Sequence, residues 1–150
     1  MAQSFAQLII HVVYSTKNRE QVLTESIRND LYNYTAGILK TIDCIPLAIG
    51  GTSDHVHVLV QMSRTISSAK MVEEMKRGAS RWIKTCGAGF QGFSWQGGYG
   101  VFSVSKSQLQ DVKQYISNQE EHHRKTTFQD EFRALLKKHG IAFDEQYVWG

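Results

Sequence analysis

The spacing of apolar positions changes along the chain, and each change marks an element. Leu8 to Tyr14 is almost continuously apolar and β-branched, the pattern of a strand buried on both faces. Thr24 is a helix-capping type. After it, apolar residues recur at helical spacing to about Lys40, with Ile27, Leu31, Tyr34 and Ile38 as the inward stripe. Ile45 to Ile49 reads as a second strand, and Gly50-Gly51-Thr52-Ser53-Asp54 is turn chemistry. His55 to Met62 then forms a third strand, hairpinned to the second. Ser67 or Ser68 opens a second helix to about Thr85, its inward stripe Met71, Met75, Ala79 and Trp82. Gly87 to Gly100 is a glycine- and aromatic-rich connection, and Tyr99 to Val104 reads as a fourth strand. Ser107-Gln108-Leu109-Gln110 fits a capping box that starts a third helix running to about His123. A last helix covers Phe128 to Lys138, stopped by Gly140, and the tail from Ile141 to Gly150 has no clear period.

This order is strand, helix, strand, strand, helix, strand, followed by further helices. It predicts an α+β fold, a ferredoxin-like βαββαβ sheet with an additional C-terminal helix, as one domain over residues 1–150. Both crossover helices of such a fold cover one sheet face. A strand alternates its side chains, so Val56, Val58, Val60 and Met62 make the core-facing set. His55 and His57 then look out of the other face, where something else must cover them.

Composition adds bounds. With 150 residues, 41% hydrophobic and 21% charged, the chain has room for a sizeable core, and one proline with no long polar tract argues against a disordered linker. A formal charge of +3 permits a nucleic-acid partner without demanding one. Cys44 and Cys86 form no C-x-x-C pair, which disfavours a cysteine-based zinc site and fits reduced core residues in a cytosol. The apolar runs are too short for a membrane span, and Met1 to Gln7 lacks the form of a secretion signal.

The candidate chemistry lies in two motifs. His55-Val56-His57 puts two imidazoles on one strand face. Tyr115-Ile116-Ser117-Asn118-Gln119, read within one helix, puts a phenol and an amide one above the other. Two imidazole nitrogens and an amide oxygen can hold a divalent cation, and a phenol can attack phosphorus. All three ligands are neutral, so a bound cation keeps its full charge for a phosphate. The mixed nitrogen and oxygen set suits Mg²⁺ or Mn²⁺, although imidazoles also accept Zn²⁺, Co²⁺ or Ni²⁺.

On these residues the sequence resembles the IS200/IS605-type Y1 tyrosine transposases of the HUH superfamily, including the relatives associated with repetitive palindromes. The resemblance rests on Asp54-His55-Val56-His57-Val58-Leu59, on Tyr115 to Gln119, on the first strand with Thr16-Lys17, and on Gly98-Tyr99-Gly100-Val101-Phe102-Ser103-Val104. It implies that His55, His57 and Gln119 bind the metal and that Tyr115 is the catalytic nucleophile. It implies a transposase that cleaves and rejoins single-stranded DNA through a 5′-phosphotyrosine and recognises hairpins near element ends. It further implies a homodimer whose active sites are shared, the histidines from one subunit and the tyrosine helix from the other. The implied location is the cytoplasm of a bacterium or archaeon, at the nucleoid. Two alternatives stand beside this reading. One is a domesticated relative acting on palindromic repeats, and the other is a non-catalytic module that binds single-stranded nucleic acid.

Other residues have plainer readings. His122-His123-Arg124-Lys125 reads as a solvated basic helix end, because adjacent helix residues point about 100° apart and chelate poorly. His11 reads as a satisfied structural histidine. Lys76, Arg77, Arg81 and Lys84 form the charged outer side of an amphipathic helix, with DNA-backbone contact as the alternative. Trp95 and Tyr99 either stack on unpaired bases or pack over the sheet edge.

Overall fold

The computed structural model describes residues 1–150. Its elements are β1 (Leu8–Ser15), α1 (Glu25–Thr41), β2 (Ile45–Gly51), β3 (His55–Met62), α2 (Ser68–Ile83), β4 (Gly100–Ser103), α3 (Leu109–Ser117), α4 (Gln119–His122) and α5 (Phe128–Lys138). The sheet order is β2-β3-β1-β4 and every pairing is antiparallel, the ferredoxin-like arrangement expected.

The first sheet face carries Ile10, Val12, Tyr14, Val56, Val58 and Val60. They pack with Leu31 and Leu39 of α1 and Met71, Met75, Ala79 and Ile83 of α2. The inward stripes differ from the expected ones at two positions in α1, Tyr34 and Ile38, and at one in α2. In α1 the buried set is Ile27, Leu31, Thr35 and Leu39, while Tyr34 is exposed and stacks on Trp82. Thr35 fits the core because its hydroxyl donates to the Leu31 carbonyl at 2.8 Å. In α2, Ile83 takes the inward place expected for Trp82. Ser67 caps α2 by accepting from the Lys70 amide at 3.1 Å. Thr24 makes no such bond and pairs with the Ser26 hydroxyl instead.

The second face is covered by the chain itself. Ile9 and Leu59 pack under Leu109 and Ile116 of α3, and Val13 and Phe102 pack under Phe128, Phe132 and Leu136 of α5. Two glycines allow this close approach. A Cβ on Gly50 would lie 2.6 Å from the Ile116 carbonyl oxygen, and one on Gly100 would lie 2.7 Å from Phe132. The tail follows α5 back, and Trp149 packs on the same apolar patch with the Arg133 guanidinium over its ring.

The third helix is not continuous to His123. A short, tighter turn spans Lys106–Gln108, with Ser107 bonded to Ser105 rather than capping, and α3 starts at Leu109 without a side-chain cap. It ends at Ser117, and Asn118 (φ −99°, ψ 17°) breaks it before the four-residue α4. Tyr115 and Gln119 therefore sit on two helices, not one. No helix is long and apolar enough to cross a membrane.

Candidate active site

Between the two apolar patches of the second face runs a polar seam. It holds His11 of β1, His55 and His57 of β3, Gln119 of α4 and Glu131 of α5, all buried. The β1–β3 register places His57 beside Val13 and His55 beside Ser15, so both imidazoles rise from the sheet centre into this seam. Neither is solvent-facing.

Each ring is fixed from behind. His55 Nδ1 donates to Asp54 Oδ1 at 2.7 Å, and Thr52 Oγ1 donates to the same oxygen at 3.1 Å. Burial pushes the Asp54 carboxyl up, but the His55 bond and charge outweigh it and hold the group below its ordinary value. Since a carboxylate only accepts, the proton of a neutral His55 is on Nδ1 and Nε2 presents its lone pair. That lone pair faces Gln119 Oε1 at 2.9 Å and Glu131 Oε1 at 3.5 Å. The Gln119 amide is oriented by its own NH₂, which donates to Glu131 Oε2 at 2.9 Å. Nitrogen and oxygen donors thus converge at one point of the seam. The donor set fits a divalent metal.

His57 Nε2 donates to Glu131 Oε1 at 3.0 Å, and His57 Nδ1 meets His11 Nε2 at 2.7 Å. Burial, opposed by the Glu131 carboxylate, lowers His57 to about 4; burial and the adjacent His57 lower His11 to about 3. Both rings are neutral in the fold at pH 7. The Tyr115 hydroxyl donates to Glu131 Oε2, and its ring meets His57 edge-on at 5.6 Å. Burial first, then the Glu131 charge, pushes the phenol well above its usual range, so it is held protonated. Burial pushes Glu131 up, but bonds from His123 and His57 dominate and hold it well below the usual carboxylate range.

The structure thus brings His55, His57, Tyr115 and Gln119 together, and it does so within one chain. The shared arrangement implied by the resemblance is not needed for these donors to meet. Glu131 and His123 are the residues that sequence reasoning missed. Glu131 lies on the inward face of α5 with Phe128, Phe132 and Leu136, and a carboxylate on an apolar stripe is a signal the sequence does contain. His123 is not a solvated helix end: it follows α4, packs its ring 4.4 Å from that of His55 and donates Nε2 to Glu131 Oε1 at 3.0 Å. Burial pulls His123 down, but the Glu131 bond and charge outweigh it and raise it above its ordinary value. His122 Nε2 is buried without a hydrogen-bond partner, 3.4 Å from Glu131 Oε2.

The α2 residues are elsewhere. Lys76 Nζ donates to the carbonyls of Gln96 and Gly98 at 2.8 and 2.7 Å, and burial lowers it to about 8. Arg77 pairs with Glu73 and Glu74. Trp95 is buried, donates to the Lys76 carbonyl at 3.1 Å and packs edge-on against Tyr14. Lys76 and Trp95 hold the glycine-rich connection on the first core.

The seam makes stability pH-dependent. His11 and His57 have an ordinary value of 6.5 and are lowered in the fold, so below pH 6.5 the unfolded chain binds more protons. Their contribution is complete above 6.5 and is lost as pH falls toward 4. The slope is about 1.4 kcal/mol per pH unit per proton, so up to about 2.7 for the pair. Glu131 acts with the same sign below its ordinary 4.5, whereas the His123 contribution is present at low pH and lost as pH rises. Urea melts of metal-free protein at pH 7, 6 and 5 are expected to show this decline; a flat profile would contradict the neutral buried pair.

The sequence profile of the family described as "Transposase IS200 like" matches residues 4–119. The chain belongs to the IS200-like (Y1) transposase family. Two solved structures share its fold. One is a chain from Deinococcus radiodurans R1 described as a candidate transposase, with TM-score 0.62 and 24% identity, covering 79% of this chain and 98% of that one. The other is a REP-associated tyrosine transposase bound to a REP hairpin, with TM-score 0.61 and 12% identity, covering 82% and 73%. No curated protein matches the sequence. The matched segment ends at Gln119, so His123, α5 and Glu131 lie beyond it.

Proposed function

We propose that this chain cleaves and rejoins single-stranded DNA through a 5′-phosphotyrosine on Tyr115, with His55, His57 and Gln119 holding Mg²⁺ or Mn²⁺. One observation carries the reading. The Tyr115 hydroxyl, the Nε2 atoms of His55 and His57 and the Gln119 amide gather around one carboxylate, that of Glu131, inside one chain.

Held by His55, His57 and Gln119, a divalent cation would supply Lewis-acid polarisation of the scissile phosphate and offset the charge of the transition state. Tyr115 Oη forms the new bond to phosphorus as the bond from phosphorus to the 3′ oxygen breaks. The phenol loses its proton and the departing 3′ oxygen gains one. Glu131 Oε2 is the acceptor that the phenol already meets. Asp54 and His11 keep the two imidazoles aimed while this happens. The covalent intermediate conserves the energy of the cut backbone, so attack by a 3′ hydroxyl on the phosphotyrosine rejoins the strand without ATP. Hairpin recognition is proposed by extension from the relative that carries a REP hairpin.

An end-labelled single strand containing a hairpin, incubated with the protein and Mn²⁺ and run on a denaturing gel, tests the activity. A chain-linked, protease-sensitive DNA band that needs the metal is expected, and its absence across a panel of element-end hairpins would contradict the assignment. We also propose that each site works as assembled here, in cis. Mixing His57→Ala chains with Tyr115→Phe chains is then expected to give no activity. Recovery toward a fraction of the wild-type level would show instead that a partner supplies the tyrosine helix.

A further inference from the structure

We propose that Glu131 and His123 complete a four-donor centre, three imidazoles and one carboxylate, which takes a first-row transition dication in preference to Mg²⁺. The inference rests on the metal-dependent reading above and extends it to residues beyond the family match.

The geometry supports a single ion. Nε2 of His55, His57 and His123 lie 3.5, 3.0 and 3.0 Å from Glu131 Oε1, and one ligand atom from each of the four residues lies within 4.8 Å of the others. Donors about 2.1 Å from a shared cation stand up to about 4.2 Å apart, a range that the three distances to Oε1 meet. All three rings point Nε2 toward Glu131, and two of them are held from behind, His55 by Asp54 and His57 by His11. Rings oriented from behind in this way mark metal ligands more than chance hydrogen-bonding. If an ion took His57 Nε2, the ring proton would sit on Nδ1 and donate to His11 Nε2, with the His11 proton moved to its own Nδ1, so the bond between the two rings would be kept in either state.

The donor chemistry sets the preference. Mg²⁺ favours six oxygens and keeps several waters, whereas a set rich in imidazole suits Mn²⁺, Co²⁺, Ni²⁺ or Zn²⁺. The carboxylate also lowers the net charge of the loaded centre by one, which strengthens binding in the absence of DNA. Gln119 Oε1, 2.9 Å from His55 Nε2, is placed to add a fifth donor. Oε2 of Glu131 remains on Tyr115, so the same carboxylate links the centre to the nucleophile.

Calorimetric titration of DNA-free protein with Co²⁺ tests this. Glu131→Gln and His123→Gln are each expected to weaken binding by about 10-fold or more, and His57→Ala to abolish it, with a hundredfold excess of Mg²⁺ failing to displace the ion from the wild type. Equal Co²⁺ affinity in wild type, Glu131→Gln and His123→Gln, with loss only in His57→Ala, would overturn the four-donor centre and leave the simpler His55, His57 and Gln119 set standing. No binding by the wild type would overturn both. A second measurement needs no variant. In ¹⁵N-histidine NMR of the Zn²⁺-loaded wild type, His55, His57 and His123 are expected to coordinate through Nε2. Coordination by His55 and His57 alone would refute the proposal.

Discussion

Tyr115→Phe is expected to abolish the covalent DNA adduct while hairpin binding survives. The substitution keeps the ring, which packs edge-on to His57 and His11 at 5.6 and 6.1 Å, and removes only the oxygen that would attack phosphorus. Losing a nucleophile outright costs about 10⁴-fold or more, which puts strand cleavage below detection. The variant also loses the bond to Glu131 Oε2, but that carboxylate keeps Gln119 Nε2 as a donor on the same oxygen. The pocket is therefore expected to stay folded, with hairpin affinity changed less than about 3-fold. A covalent adduct retained in this variant would remove Tyr115 from the chemistry.

His55→Ala and His57→Ala are expected to fail differently, through the metal. Val56 and Val58 face the first core and cannot replace a lost ligand. Each single variant is expected to need about 10–100-fold more Mn²⁺ for half-maximal cleavage, and raised Mn²⁺ is expected to rescue a single variant more than the double. The two are not equivalent. His57→Ala also strips His11 and Glu131 of a partner, whereas His55→Ala frees Asp54 near the surface, so His57→Ala is expected to lose more thermal stability. Cleavage at wild-type rates in trace metal by both would make these histidines structural.

The fold was legible because its signals are local. Alternation in β3 separates Val56, Val58 and Val60 from His55 and His57, and the glycine-rich hairpin and α2 stripe bound the strands on either side. Errors fell where tertiary packing decided. Thr35 is buried because its hydroxyl bonds within the helix, which no hydrophobic period reveals. The break at Asn118 has no proline or glycine to announce it, and it turns Gln119 into the seam and carries His123 round after it. An i, i+1 histidine pair looked unable to chelate because a continuous helix was assumed. The hydrogen-bond partners of Glu131 lie on β3, α3, α4 and the residue just after α4, at separations from 8 to 74 residues, which no local pattern reveals. One feature of the sequence did point to it, a carboxylate on the apolar stripe of α5. The cover over the His55 and His57 face was expected from a partner; α3 and α5 of the same chain supply it, with Gly50 and Gly100 allowing the close approach.

The central claim is that one phenol becomes covalently joined to DNA at a metal site built from β3 and α4. Mass spectrometry of the trapped adduct tests it most directly. Wild-type protein is incubated with a hairpin-bearing single strand and Mn²⁺, digested with trypsin and nuclease, and the nucleotide-bearing peptide is sequenced. The chain has six tyrosines. The expected result is a single modified peptide carrying a 5′-phosphate nucleotide on Tyr115, absent when the metal is chelated. Modification at another tyrosine, attachment through a 3′-phosphate, or an adduct of equal yield in chelator would contradict the account.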